Sequence, residues 1–272
     1  MSRETSRQRL VVVERHPDGV VELALNRPEA LNALSIEMMN AISAAVDRAV
    51  VSQPSVVVVS SLCPRAFSVG ADLKERSTMS AEDLLGCRPV FASAYRSLLG
   101  LAVPVIAAVH GFAVGGGFEL ALTCDLIVAD ESAVVALPEV TIGLIPGGGG
   151  SQLLRRRTGW GVAAELIFTG RQVQAQEAAR MGIVDSVAGP GQERTAALEL
   201  AGRIASASPS SLRLAKAALA GGWAMPLEQG LELEDRLWRR AAMSADREEG
   251  VRAFVDKRKP RWHLATEDTS QS

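Results

Sequence analysis

Two glutamates lie within strongly apolar, glycine-rich stretches of the chain: Glu119 in VIAAVHGFAVGGGFELALTCDLIVAD and Glu139 in VVALPEVTIGLIPGGGGSQLL. A carboxylate is almost never buried without a partner or a task, and glycine lets a backbone amide approach a group that any side chain would block. A fold for this chain therefore has to accommodate two carboxylates beside bare backbone. The first string predicts a strand over residues 105–109, a glycine turn, and an apolar helix over 116–123. Amides in the first turn of a helix lack an intrahelical acceptor and sit at the positive end of its dipole, so Gly116 offers a donor to an oxygen gaining charge. Glu119, three residues on, shares that helix face. Phe118, Leu120, Ala121 and Leu122 flank it with hydrocarbon, which favours the protonated acid. The spacing alone leaves a second reading open, in which the glycines make a close helix-to-strand contact and Glu119 faces solvent.

Elsewhere, strand patterns occupy residues 10–15, 20–25, 56–60, 105–109, 126–129 and 134–137. A helix is predicted over 35–51 from apolar Met38, Met39, Ile42, Ala45, Val46 and Ala49. The strand and helix order suits stacked β-β-α units. From residue 206 onward only helical patterns remain, over 209–219, 227–244 and 246–257. We therefore divide the chain into a core at 10–205, a helical region at 206–262 and a polar tail at 263–272. Hydrophobic residues make up 47% of the 272 and aromatic ones only 4%, so the core must be built from Ala, Val, Leu and Ile.

The formal charge of −2 excludes a generally basic, nucleic-acid-coating protein. Arg155 to Arg157 form a local cluster that reads as a phosphate contact, a solvated helix start or a subunit contact. Cys63, Cys87 and Cys124 are scattered, which fits a reducing compartment. His16, His110 and His263 are far apart in sequence, and no motif points to a metal. His110 reads as a strand-end residue whose ring finds a backbone partner. No apolar run reaches membrane-spanning length and the first ten residues lack a secretory pattern, so a cytoplasmic protein with no membrane partner is expected.

Four strings, LNRPEALNAL (25–34), AFSVGADLKE (66–75), HGFAVGGGFELALTCD (110–125) and PEVTIGLIPGGGGSQLL (138–154), occur in the order found in the crotonase superfamily, and the chain resembles its enoyl-CoA hydratases over residues 20–262. The resemblance implies an α/β, ClpP/crotonase-like fold of stacked β-β-α units with a C-terminal helical trimerisation region, assembled as a homo-trimer or hexamer. It implies an acyl-CoA thioester substrate and no cofactor beyond that coenzyme A. It places the oxyanion-hole amides at Ala71 and Gly116, and the two water-handling glutamates at Glu119 and Glu139. Contacts to coenzyme A fall on Ala30, Leu31, Ser68, Gly70, Asp72, Leu73, Gly115 and Lys257, with Pro138 shaping the turn that aims Glu139. Taken without the resemblance, the segment around Ala71 reads as a polar loop with Asp72 as a helix N-terminal charge, Ala30 and Leu31 as a loop plus a core leucine, and Lys257 as a solvated helix end.

Within the family the reading is an enoyl-CoA hydratase. LKER (73–76), IPGGGG and the ending EGVRAFVDKRKPRW resemble the methylglutaconyl-CoA hydratase subgroup. A delta3,delta2-enoyl-CoA isomerase would need only the glutamate at position 139, so the presence of Glu119 weighs against it. RNA binding, known for some relatives, uses a lysine-rich first helix, whereas residues 35–51 contain no lysine. An inactive scaffold is disfavoured by the intact glutamates and donors.

Overall fold

The computed structural model describes residues 9–262, so His263 and the tail at 263–272 lie outside the described residues. The antiparallel pair β1 (Val11–Arg15) and β2 (Val20–Leu25) leads through a 3-10 turn at Pro28–Ala30 to α1 (Ile36–Val51). Ser35 caps α1 by accepting from the Met38 amide at 3.1 Å. Its apolar stripe buries the six residues that the periodicity predicts, Met38 to Ala49.

Three successive strand pairs follow, each sending one strand to each of two sheets before a helix: β3 (Val56–Ser61) and β4 (Ala66–Ser68) before α2 (Leu73–Arg76) and α3 (Ala81–Leu99), β5 (Val105–Val109) and β6 (Phe112–Val114) before α4 (Gly116–Leu122), and β7 (Leu126–Asp130) and β8 (Val134–Ala136) before α5 (Gly150–Thr158). Then come α6 (Trp160–Thr169), β9 (Val173–Gln174), α7 (Ala175–Arg180), β10 (Ser186–Ala188) and four helices: α8 (Glu193–Ala205), α9 (Pro209–Gly222), α10 (Leu227–Ala242) and α11 (Ala245–Val255). The large sheet runs β1-β2-β3-β5-β7-β10 and the small one β4-β6-β8-β9.

From β2 to β10 the large sheet is parallel, and both of its faces are covered, which is why its strands read as unbroken apolar runs. Val57, Val59, Val105, Ala107, Val109 and Ile127 face the main core with α1, α3 and α4. Val56, Val58, Ile106, Ala108 and Val128 face the opposite way, onto Ala197, Ala201 and Ala205 of α8. Alanine on the helix and valine on the strands let the two layers approach closely without aromatic filling.

One charge interrupts that second face. Glu22 of β2 is fully buried, and Arg194 of α8 donates to its two oxygens at 2.6 and 2.8 Å, beside Ser60 and His16. Burial alone would raise the Glu22 carboxyl, but the bonds from Arg194, Ser60 and His16 outweigh it and hold the group below its ordinary range. The fold therefore gathers a histidine–carboxylate group, Glu14, His16 and Glu22, that the sequence reading did not foresee. Arg194 reaches Glu14 as well and supplies the positive charge there. The cluster Arg155 to Arg157 is corrected in turn: it lies in the last turn of α5, not at a helix start, and Arg157 donates to Ile183 O and pairs with Asp185.

Because Glu22 is left charged and buried when its partner goes, Arg194→Ala should cost about 2–3 kcal/mol at pH 7, the lower end for broken buried pairs since Arg194 is partly exposed. The lowered carboxyl makes this contribution present above the unfolded pKa and lost as pH falls through the folded one. Urea unfolding should thus show the gap between wild type and variant closing on acidification; a gap independent of pH would refute the assignment.

Candidate active site

Two loops with glycine at their closest points meet where the sheets hand the chain to α2 and α4. Leu34 and Ala71 form a parallel bridge, in which the Leu34 amide donates to Gly70 O at 2.7 Å and the Asp72 amide to Leu34 O at 3.3 Å. In that geometry the N–H of Ala71 itself points away from Leu34. Across from it lies Gly116, the first residue of α4, whose amide has no intrahelical acceptor. A Cβ built on Gly116 would lie 3.8 Å from the Ala71 nitrogen, so the two donors are neighbours. The approach depends on missing side chains: a Cβ at Gly117 would fall 2.2 Å from Ser68 O, and Gly70, at φ +82°, would press one to 2.5 Å from Val114 O. The Tyr95 hydroxyl, from α3, fixes the far side by donating to Gly116 O at 3.0 Å.

Glu119 is 3% exposed and does not face solvent. Its Oε1 accepts from the amides of Gly148 and Gly150, both at 2.7 Å. Gly150 opens α5, so the carboxylate of one helix sits at the amino end of another, where a negative charge is favoured. The glycine run permits this, because a Cβ at Gly148 would lie 2.5 Å from the Tyr95 ring and one at Gly150 3.0 Å from Glu119 Oε1. Burial pushes the Glu119 carboxyl up, and the amides of Gly150, Gly148 and Gly147 with the Arg88 charge offset only part of that. The upward direction matches the sequence expectation.

Glu139 begins a 3-10 turn, Glu139–Ile142, capped by Pro138 and closed by Gly143 in the left-handed region. Its Oε1 faces Gly115, where an added Cβ would come within 3.1 Å, and its Oε2 is buried without a hydrogen-bond partner. Burial raises this carboxyl to about 7, the charge of Glu119 adds to the rise, and its own backbone amide and Arg76 oppose it. Two carboxyls with raised pKa, one pinned by amides and one with a free oxygen, thus stand beside two neighbouring N–H donors. Such a set can move protons near neutrality next to an oxygen that gains charge.

The structure brings together Gly70, Ala71, Gly115, Gly116, Glu119, Pro138 and Glu139. Ser68 is fully buried, and its hydroxyl donates to Asn32 O and accepts from the Gly70 amide, so its side chain braces the loop from behind. The Asp72 carboxylate caps α2 at the amides of Lys74 and Glu75 and pairs with Arg27 at 2.7 Å, so the reading as a helix N-terminal charge describes its side chain. Leu73 is exposed beside it. Leu31 is half-buried in the left-handed region and accepts from the Val69 amide, which ties the 3-10 turn ending at Ala30 to the Gly70 loop; it is not a core leucine. Lys257 lies just past α11, exposed, and among the described residues no hydrogen bond or ion pair joins its side chain to the others. His110 follows β5, its Nε2 meeting Cys63 O at 2.8 Å and its Nδ1 lying 2.8 Å from Glu193 Oε1. Tyr95, Gly148 and Gly150 were not singled out from the sequence as partners of this site; the IPGGGG run carried the signal, without saying what its amides would hold.

A profile described as "Enoyl-CoA hydratase/isomerase" matches residues 15–265. The mitochondrial methylglutaconyl-CoA hydratase of Mus musculus is 39% identical over 256 residues, 92% of this chain and 81% of that protein. Among solved structures, an enoyl-CoA hydratase from Bacillus anthracis superposes with a TM-score of 0.90 at 36% identity, covering 94% of this chain and all of that one. An enoyl-CoA hydratase from Mycobacterium smegmatis gives 0.87 at 31% identity, again over 94% of this chain and all of that one. With profile, relatives and fold in agreement over nearly its whole length, this chain belongs to the enoyl-CoA hydratase/isomerase family and has the crotonase fold.

Proposed function

We propose that the protein hydrates a 2-enoyl-CoA thioester, with the thioester oxygen held by the amides of Ala71 and Gly116 and the water held between Glu119 and Glu139. The observation that carries this is the unequal pair of carboxylates: Glu119 with one oxygen fixed by two amides, Glu139 with one buried oxygen unpartnered, both beside the two donors. As the water oxygen bonds to C3, one carboxylate takes its proton and the π electrons of the double bond move toward the thioester, where the two N–H groups stabilise the enolate oxygen. A proton then reaches C2 and restores the carbonyl. Both glutamates serve: one orients and deprotonates, the other supplies or receives. Donors of this kind are worth about 3–4 kcal/mol of barrier each in related chemistry.

The bond changes are complete with water and the thioester alone, so the reading calls for no cofactor beyond the coenzyme A of the substrate, and for no metal. The backbone of Gly70, Ala71, Leu73 and Gly115 lines the coenzyme's approach, with Ala30, Leu31 and Lys257 as outer contacts. No helix among the described residues is long and apolar enough to cross a membrane. We place the protein in the cytoplasm, where the free cysteines Cys63, Cys87 and Cys124 would stay reduced.

Assembly belongs to the same proposal. Leu227, Leu231 and Trp238 of α10 are exposed, while Leu237 is buried and Leu233 packs on Gly221, so the apolar surplus on that helix is smaller than its sequence implies. Leu219, Trp223, Met243, Phe254 and Val255 on and around the neighbouring helices enlarge the exposed surface. Surface of this kind marks an interface, and we assign it to a trimer or to a hexamer made of two trimers.

Three outcomes check these readings. With crotonyl-CoA as substrate, Glu119→Gln and Glu139→Gln should each lose hydration by at least about 100-fold, the lower range for a positioned acid or base. Near-normal hydration by Glu119→Gln would remove the two-glutamate mechanism, and a dominant shift of a 3-enoyl double bond would move the assignment to an isomerase. Light scattering at micromolar concentration should report three or six chains per particle, and a stable monomer counts against the interface. Glu139, with its folded pKa raised to about 7, binds a proton in the folded state that the unfolded state releases, so it costs stability above that pH and nothing below its unfolded value. Glu139→Gln should therefore raise stability by about 1–2 kcal/mol at pH 8, discounted for its partial exposure, and by nothing measurable at pH 4.

A further inference from the structure

Two N–H donors meet one oxygen only if each is held in place from behind, and the two are held differently. Ala71 is tied by its bridge to Leu34. Gly116 has no side chain to anchor it, so its position rests on what packs into the space a side chain would take. On one side the next residue, Gly117, abuts Ser68. On the other stands Tyr95 of α3: a Cβ built on Gly116 would fall 2.7 Å from the Tyr95 hydroxyl oxygen, and that hydroxyl donates to Gly116 O at 3.0 Å. The same ring fills the space of a second glycine. A Cβ on Gly148 would fall 2.5 Å from the Tyr95 Cε2 and Cζ, and the Gly148 amide is one of the two that hold Glu119. The phenol thus lies between the residue that supplies a donor for the substrate oxygen and a residue that pins the acid.

Tyr95 is 5% exposed and belongs to the main core with Phe91 and Leu98, where a phenylalanine would fill nearly the same volume. The hydroxyl is the surplus, and a buried hydroxyl needs a partner. Its partner here is the carbonyl of the donor residue itself. Burial pushes the phenol well above its usual range, and the charges of Glu119 and Glu139 add to the rise against those of Arg76 and Arg88, so the group keeps its proton and remains a donor through the neutral range. Enolate stabilisation depends on donors fixed before the charge develops, and small misplacements are costly. We propose that Tyr95 is a positioning residue for hydration: its hydroxyl fixes Gly116 and its ring fixes Gly148, so that one side chain sets the spacing between the two N–H donors and Glu119. This role rests on the hydratase reading.

The test uses the full chain with Tyr95→Phe, which deletes the hydroxyl and keeps the ring, and with Tyr95→Leu, or Tyr95→Met where leucine does not fold, which removes the ring as well. In hydration of crotonyl-CoA, Tyr95→Phe should lower kcat by about 10-fold or more with KM within about 3-fold, the pattern of an interaction used only in the transition state. Removing the ring should lower kcat by about a further 10-fold, because Glu119 loses the packing behind one of its amides. Counting sites by calorimetry with butyryl-CoA, which is saturated and cannot be hydrated, restricts kcat to folded protein. A second readout separates positioning from stability: with heavy carbon at the thioester carbonyl of butyryl-CoA, the infrared stretch should fall on binding wild type to a lower frequency than in water, and part of that displacement should be lost in Tyr95→Phe. Either change in Tyr95→Phe without the other, or neither, overturns the proposal and leaves the hydratase reading standing. A ring-deleted variant as fast as Tyr95→Phe overturns the part assigned to the ring. A wild type that leaves the carbonyl band where water puts it has no pair of donors on the thioester oxygen, which overturns both readings at once.

Discussion

The site depends on one oxygen. Glu119 Oε1 receives two backbone amides, from Gly148 and Gly150, at 2.7 Å each. A carboxylate buried in an alanine and leucine core without such donors would cost several kcal/mol or take up a proton and lose its directionality. With them it stays in one position, and the position is set by the amino end of α5. The main core around α4 can therefore close over an acid because another helix, three dozen residues downstream by its midpoint, points its free amides inward. The balance is partial: burial still holds the carboxyl above its ordinary range.

The large sheet gives that contact a rigid base. Parallel strands β3, β5 and β7 end side by side, and the chain leaving each one enters the small sheet before turning into a helix. The turns after β4 and β6 thus stand next to each other, and the Ala71 and Gly116 amides are brought together by topology more than by local preference. Side-chain absence then sets the spacing. The Gly117 contact with Ser68 O holds α4 against the first loop at a distance that an alanine could not match.

Much of the frame was legible in the sequence because its long elements bury whole faces. The strand at residues 20–25 shows as a nearly unbroken apolar run and the helix at 36–51 by its 3.6-residue period, and both lie where expected. Among the short strands, β8 falls within the run expected at 134–137, whereas β4, β6 and β9 have too few residues to show a pattern and were missed. Glu119 and Glu139 stood out as acids in apolar surroundings. The amides that hold Glu119 did not, since they lie 29 and 31 residues away and a glycine run does not announce what its backbone will bind. Ser68 and Asp72 divide by group: the resemblance concerns their backbone, while their side-chain oxygens bond Asn32, Gly70 and the start of α2, of which only the Asp72 cap shows in the sequence, as a charge ahead of a helix.

Helix α3 has a further consequence. Tyr95 grips the α4 loop through Gly116 O, Arg88 grips the α5 loop through Gly147 O, and Phe91 between them supports Arg76. The two loops belong to different β-β-α layers, so α3 works as a strut clamped at both ends. Pro89 lies one residue after the lower clamp, where its ring removes an amide from the helical ladder. A helix that lacks a ladder bond beside one clamp and keeps its ladder at the other is softer at the Arg88 end than at the Tyr95 end. One helix thereby holds the α4 loop more stiffly than it holds the α5 loop.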